Sequence, residues 1–584
     1  MVVQGGRDSW WRADLKNKQY DIVGDAYDDT IYRKLEKEWT QDIDTSPYLD
    51  WVKKLSESGW IHLRPLADFM FIGATPQLWG DLDPNQGPGK DKGVTSVDEM
   101  TRRTRERERR FAKTNVCMLD YYPDEVKKET FTSAQDLQTG LDERIADEIE
   151  FRLYVIEDLS RDVIEAFGQK YKIEPDFWRA HIMDFAWSNV RDRWKNPPLL
   201  DIVSRHQNWM QLRYVTARYF DANEKGSRKE KSSFTEAAEE AAKFNIFRRV
   251  DDDLSNKSYW DKEGAIVGLM RSRATFWLQP SGPQNSTPVG ILLLDPTVTK
   301  GVPLWRGRRT LWPTPEFGQT PPSGPPQQDN LFDHFVFWAQ QTKLYPNCDI
   351  DHYSKAHVPM QVLLHFVVSE WLTMSDYIKA RLNQLDWEIV KPEFFGRGKK
   401  GVNDMLEKLH MWRRLVPLYR EMVSETIRHV EQFSGRIRVP MTSCKSTDDG
   451  KHMLMSHYIL DLAHVKSQLE EYQNRIDQIT SVVTAVISID NSRRGLQDNR
   501  NIGRLTWLAT FFIPLSLVAG ILSMQSDVAD ISRNTFVVYF ATSLPLGIVI
   551  AVAALTLSFS RSLTRHLAKL KRAVWNLWPH QKIH

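Results

Sequence analysis

The sequence predicts an α/β domain followed by a long helical stalk and two C-terminal transmembrane helices. Three observations carry that prediction. Two uncharged apolar runs, Leu505–Met524 and Phe536–Phe559, lie close together near the C-terminus. A heptad-spaced apolar series leads into the first of them. Further upstream, segments rich in β-branched and aromatic residues alternate with helix signals and turn clusters.

A chain of 584 residues has room for a large aqueous core ahead of a membrane hairpin. Its mean hydropathy of −0.47 fits a mostly solvated chain. A formal net charge of +2 gives no basic footprint for nucleic acid. Cys117, Cys348 and Cys444 are far apart and show no zinc spacing, which fits a reducing cytosol. The opening stretch MVVQGGRDSWWRADLK lacks an apolar signal core, and Asp8 and Asp14 argue against a transit peptide. The first apolar span is therefore expected to serve as its own insertion signal. The chain shows no glycine-rich phosphate cradle, no nucleophile elbow and no His/carboxylate metal pair in a helical context, so neither an enzyme nor an organic cofactor is expected.

Residues 1–140 read as a polar N-terminal extension with little core of its own. The Arg/Glu run Arg102–Arg110 within it reads as a solvated helix face. Residues 141–355 read as a cytosolic α/β domain carrying Pro-rich insertions. Phe151–Ile156 suits a strand, Glu157–Ser160 an acidic turn, and Arg161–Phe167 a helix that Gly168 would cap. Pro175 would open the next helix. His181 and Asp184 lie at i and i+3 there, and His181, set among Phe177, Ile182 and Phe185, reads as structural rather than as a ligand. Met210–Phe220, Asn245–Val250, Ile266–Leu278 and Val289–Leu294 read as strands. Residues 225–231, 280–288 and 313–326 have compositions that cannot build a core.

Residues 356–504 read as helical, with helices over Val362–Trp387 and Val402–Phe433 and a stalk helix starting near Met453. On the last, Tyr458, Leu462, Val465, Leu469, Tyr472, Ile476, Ile479, Val483 and Val486 alternate spacings of 4 and 3, a coiled-coil pattern. Such a seam packs either against copies of itself or against the two preceding helices. If the helix continues through Gly495 into the membrane, it is about 105 Å long.

Residues 505–524 form the first expected transmembrane helix. Twenty uncharged residues at about 1.5 Å each cover a hydrocarbon core of about 30 Å. Pro514 is tolerable where neighbouring helices or hydroxyls such as Thr510 and Ser516 re-satisfy the backbone. A short extracytosolic loop, 525–535, joins this span to the second, 536–559, and a basic cytosolic tail, 560–584, follows. Arginines and lysines flank the hairpin on its outer sides, which places both termini in the cytosol, with the plasma membrane the favoured location.

Ala509-Thr510, Pro514-Leu515 and Ala519-Gly520-Ile521, followed by Ser523-Met524-Gln525, resemble the first transmembrane helix of the CorA family of divalent-cation channels. The stretch VIEDLSRDVIEAFGQKYKIEPDFWRAHIMD resembles the opening of that family's cytoplasmic domain. The resemblance covers about residues 148–575. The family ends its first span in Gly-Met-Asn, whereas this chain has Ser523 and Gln525 around Met524.

The resemblance implies a CorA-like, funnel-shaped homopentamer that passes Mg²⁺ passively into the cytosol, with Co²⁺ or Zn²⁺ as further cargo. Mg²⁺ would be both transported and regulatory. The implied partners are copies of the chain itself, membrane lipid and divalent cations, with no nucleic acid. It places Asn499, Ile502, Leu505, Ile513, Ser516 and Gly520 along the pore, and Ser523, Met524 and Gln525 at its mouth. The spacings of 3, 3, 8, 3 and 4 keep the first six on one helical face. Ile502, Leu505 and Ile513 would be hydrophobic constrictions. Asn499 and Gln525, with Ser516, would offer oxygens to a hydrated ion, since Mg²⁺ gives up its water reluctantly. Arg561, Arg565, Lys569, Lys571 and Arg572 would form a basic ring against anionic lipid, or simply anchor the topology. A regulatory acidic position falls near His464, with Asp461 one turn earlier, and a solvated helix face accounts for Asp461 as well. The bulk added at Ser523 and Gln525 leaves open a different class of function, a non-conducting CorA-derived sensor or scaffold anchored in the membrane.

Overall fold

A computed structural model of the chain describes residues 46–74, 96–183, 200–221, 233–241, 243–246, 248, 250–253, 262, 265–279, 287–304, 311, 314–320, 324, 330–341, 355–390, 399–434, 453–524, 534 and 536–553. The chain divides into two compact units, residues 1–480 and 481–584.

In the first unit the order is α1 (Pro47–Glu57), α2 (Arg64–Ile72), α3 (Ser96–Phe111), β1 (Val116–Tyr121), β2 (Val126–Phe131), α4 (Ala134–Asp142), β3 (Phe151–Glu157), α5 (Arg161–Tyr171) and α6 (Pro175–Ile182). Next come α7 (Asp201–Ser204), β4 (Trp209–Phe220), α8 (Ser233–Ala241), β5 (Val250–Asp253), β6 (Ile266–Leu278), β7 (Val289–Leu294) and β8 (Val302–Pro303). The helices α9 (Leu331–Ala339), α10 (His357–Val390), α11 (Lys399–Ser434) and α12 (Met453–Leu522) follow.

The eight strands form one sheet in the order β2-β1-β3-β7-β6-β4-β8, with β5 on β6. Among the described strands only β3 and β7 pair in parallel. Every residue of β7, and all but the last of β3, is buried, the near-continuous apolar run expected of strands covered on both faces. Alternation along β6 sends neighbouring rings to opposite faces. Trp277 joins Tyr48, Phe167 and Trp178 in the core beneath α1, α2, α5 and α6. Phe276 meets Phe433 of α11 edge-on at 5.8 Å. On that second face Trp371 Nε1 of α10 donates to the Arg213 carbonyl at 3.0 Å.

Three expectations are corrected. First, residues 46–140 are not a bare extension. They supply α1–α4, β1 and β2, and β1 is buried along its whole length between β2 and β3. In the Arg/Glu run, Arg107 and Arg110 are buried. Arg107 Nε donates to the Phe71 carbonyl at 2.9 Å, and its guanidinium lies over the Phe71 and Phe111 rings. Second, Gly168 does not end α5. The helix runs to Tyr171 and Lys172 takes the left-handed cap at φ 54. A Cβ at Gly168 would sit 2.7 Å from the Tyr48 ring, so the glycine admits α1 against α5. Third, the strand expected over Asn245–Val250 begins at Val250. Its inward residues are Asp251 and Asp253, which pair with Arg414 and Arg381, so hydrophobic patterning could not mark it.

The heptad seam of α12 is filled from within the chain. Positions 458 to 483 of the series are buried, while Val486 is exposed. Ser375 Oγ of α10 donates to Gln468 Oε1 at 2.6 Å, Arg475 pairs with Asp386, and His365 meets Tyr458 edge-on. Of the two expected packings, the preceding helices provide this one. The helix itself is unbroken over 70 residues, through both Gly495 and Gly503.

Candidate functional site

The second unit holds the end of α12 and the helix α13 (Phe536–Ala553), both long and apolar enough to cross a membrane. Tyr539, Ser543, Gly547 and Ala551, one every four residues, form the inward stripe of α13, with Ser543 and Gly547 buried. The small residues allow close helix approach. Tyr539 Oη donates to the Leu515 carbonyl at 3.3 Å. Pro514 is buried, and Leu515, Val518 and Leu522 are half-buried.

Pro514 offers no N–H to the preceding turn. Nearby hydroxyls are spent on the backbone, as an apolar medium requires: Thr510 Oγ1 donates to the Thr506 carbonyl at 2.8 Å and Ser516 Oγ to that of Ile513 at 2.9 Å. The Ser516 oxygen keeps acceptor capacity.

The helix places the predicted pore residues together. Ile502, Leu505, Ile513, Ser516 and Gly520 are all exposed, within an arc of about 80° at roughly 100° per residue. The side carrying Pro514 and Val518 lies about 160° away. Asn499 is exposed at the edge of the same face, nearly two turns before the uncharged run. Ser523 and Met524 form the exposed turn that ends α12, with Ser523 N donating to the Ala519 carbonyl at 2.9 Å. Gln525, the loop beyond it and Arg561, Arg565, Lys569, Lys571 and Arg572 lie outside the described residues, as does Asp184. Asp461 and His464 are exposed on α12. Among the described residues no three His, Cys, Asp or Glu side chains come together as a metal site. The inter-span contact through Tyr539 was missed, although the four-residue spacing of Tyr, Ser, Gly and Ala in the second span is its sequence signal.

His181 has the structural role expected. It is fully buried, its Nδ1 is 3.0 Å from Thr275 Oγ1 and its Nε2 is 3.4 Å from Asp295 Oδ1. Burial, with Arg248 and Arg273 nearby, pushes its pKa well below the ordinary 6.5. The unfolded chain takes up a proton near pH 6.5 that the folded chain refuses, so this stability is present above pH 6.5 and lost as pH falls below it. The slope approaches about 1.4 kcal/mol per pH unit. Thermal unfolding of His181→Asn between pH 7 and 5 should show a shallower decline than wild type. An unchanged pH profile would remove His181 as the source.

Comparison with known families matches residues 350–561 to the model described as CorA-like Mg²⁺ transporter protein. The chain is thus CorA-like over that segment, and the matched family is one of transporters rather than enzymes. No curated protein matches the chain. Among solved structures, the complete CorA magnesium transporter from Methanocaldococcus jannaschii aligns at 9% identity and TM-score 0.35, over 75% of this chain and 96% of its own. The ZntB cytoplasmic domain from Vibrio parahaemolyticus aligns at 10% identity and TM-score 0.29, over 64% and 98%. The full-length CmaX protein aligns at 12% identity and TM-score 0.32, over 78% and 98%.

Proposed function

We propose that this chain, CorA-like over residues 350–561, is a membrane channel that carries divalent cations passively, Mg²⁺ foremost and Co²⁺ or Zn²⁺ as alternatives. Five copies surround one axis, the first span of each faces that axis, and both termini are cytosolic. The observation that carries this reading is the two-sidedness of residues 513–522. One side packs on α13, and the other is uncharged, exposed and interrupted by the small residues Ser516 and Gly520. Bare apolar surface of this extent requires a cover, and small residues within it let neighbouring copies approach closely.

The chemistry suits a hydrated ion. Ile502, Leu505 and Ile513 form constrictions that gate by dewetting. Oxygens of Asn499, Ser516 and Gln525 contact the water shell without stripping it. A divalent ion gains about 4.6 kcal/mol per 100 mV of inside-negative potential, so inward flow needs no coupled energy source.

Liposomes containing the purified full-length protein should take up Mg²⁺ under a gradient and an inside-negative potential. Failure with Mg²⁺, Co²⁺ and Zn²⁺ alike would end the channel reading. The Ser523→Gly, Gln525→Asn double variant should change that flux by less than about threefold, because the amide at position 525 survives in both forms. A large gain over a silent parent would instead show that the native chain is the non-conducting scaffold.

A further inference from the structure

On the side of α12 turned away from the candidate pore, Arg500, Arg504 and Trp507 follow one another at i, i+4 and i+7. They lie within an arc of about 60°, and that arc is centred nearly opposite Ile502, Leu505 and Ile513. All three are exposed. Neither arginine has an acidic residue at i±3 or i±4, whose places are taken by Leu496, Gln497, Gly503, Asn501, Trp507 and Leu508 and by each other. Two like charges one turn apart on a helix repel each other, so a counter-charge from outside the helix is needed to stabilise them.

Their position specifies the source of that counter-charge. Arg504 directly precedes Leu505, the first residue of the uncharged run, and Trp507 stands one turn further in. A tryptophan at that depth lies where the amphipathic indole prefers to be, at headgroup level. The long arginine stems extend along apolar surface while their guanidinium groups remain with the phosphates, and a guanidinium binds phosphate oxygens in a bidentate fashion.

We infer that Arg500, Arg504 and Trp507 form a binding face for the headgroup of an anionic phospholipid, in the cytosolic leaflet and on the side of α12 opposite the candidate pore face. This rests on the reading of residues 505–522 as a membrane span, and it is independent of the basic tail. Its consequence is that bound lipid neutralises the outer face of α12 at the level where the helix enters the membrane.

The test uses full-length protein purified in mixed micelles of phosphatidylglycerol and phosphatidylcholine, with the retained lipid quantified. Wild type should retain phosphatidylglycerol preferentially. In Arg500→Gln/Arg504→Gln that preference should fall about thirtyfold, on the scale of two interfacial arginines. Equal charge removal at the exposed Arg144 and Arg413 should leave it unchanged, and so should millimolar inorganic phosphate. Thermal unfolding of each variant reports that the fold is retained. Unaltered preference in the double variant, or displacement of the lipid by inorganic phosphate, would overturn the inference. Extraction of wild type from membranes by alkaline carbonate would instead overturn the span reading, because an integral protein stays with the membrane whether or not it selects anionic lipid.

Discussion

Modification of a single cysteine at position 513 with a bulky charged thiol reagent should reduce cation flux by at least about tenfold, whereas the same modification at position 518 should change it by less than about twofold. The two positions lie five residues apart on one helix and differ chiefly in facing. Ile513 is 64% exposed on the uncharged face, whereas Val518 is half-buried on the side packed against α13. A charged adduct at a hydrophobic constriction blocks the ion path and adds an electrostatic barrier to it. At 518 the adduct meets α13 or lipid. Cysteines at 502 and 516 should behave like 513, and one at 507 like 518. Equal effects at both sets of positions would mean that the uncharged face does not line a path.

The second large effect is in the soluble unit. Asp295→Ala should lower the thermal unfolding midpoint of the detergent-solubilised full chain by about 4 °C, corresponding to a loss of about 3–5 kcal/mol. Asp295 is almost fully buried and accepts two bonds from the Arg248 guanidinium, both at 2.7 Å, and one from the Arg273 backbone N–H at 2.7 Å. Its removal takes the Asp295 carboxylate away from a buried guanidinium that also donates to the carbonyls of His181 and Ile182. A total stability of about 5–15 kcal/mol does not easily absorb such a loss. A shift below about 2 °C, measured by tryptophan fluorescence, would show that the pair is dispensable.

What could be read in the sequence follows from how local each signal is. The two candidate membrane helices need only an absence of charge over some twenty positions. β4, β6 and β7 announce themselves through β-branched and aromatic runs, and β6 and β7 are observed at the expected Ile266–Leu278 and Val289–Leu294. Non-local features were hidden. The fate of β1 depends on strands that arrive later in the chain, and Gly168 resembles a cap until Tyr48 is seen against it. Asp251 and Asp253 look like turn residues because their arginine partners are distant in sequence. A heptad shows that a face is buried but not what buries it, so the role of α10 as a partner of α12 required the structure. The candidate pore face was legible as a helical periodicity, whereas the contact between the spans was not, because Tyr539 bonds a backbone carbonyl that no side-chain pattern records.

The most direct measurement of the central claim, that copies of residues 499–525 surround a single axis, is the mass of the full-length protein in detergent by light scattering, with the detergent contribution subtracted. Five copies of the 68.0 kDa chain are expected, and oxidation of an Ile513→Cys variant should link neighbouring copies through this position. A particle of one or two chains, with no cross-linking at 513, would contradict the axial pore.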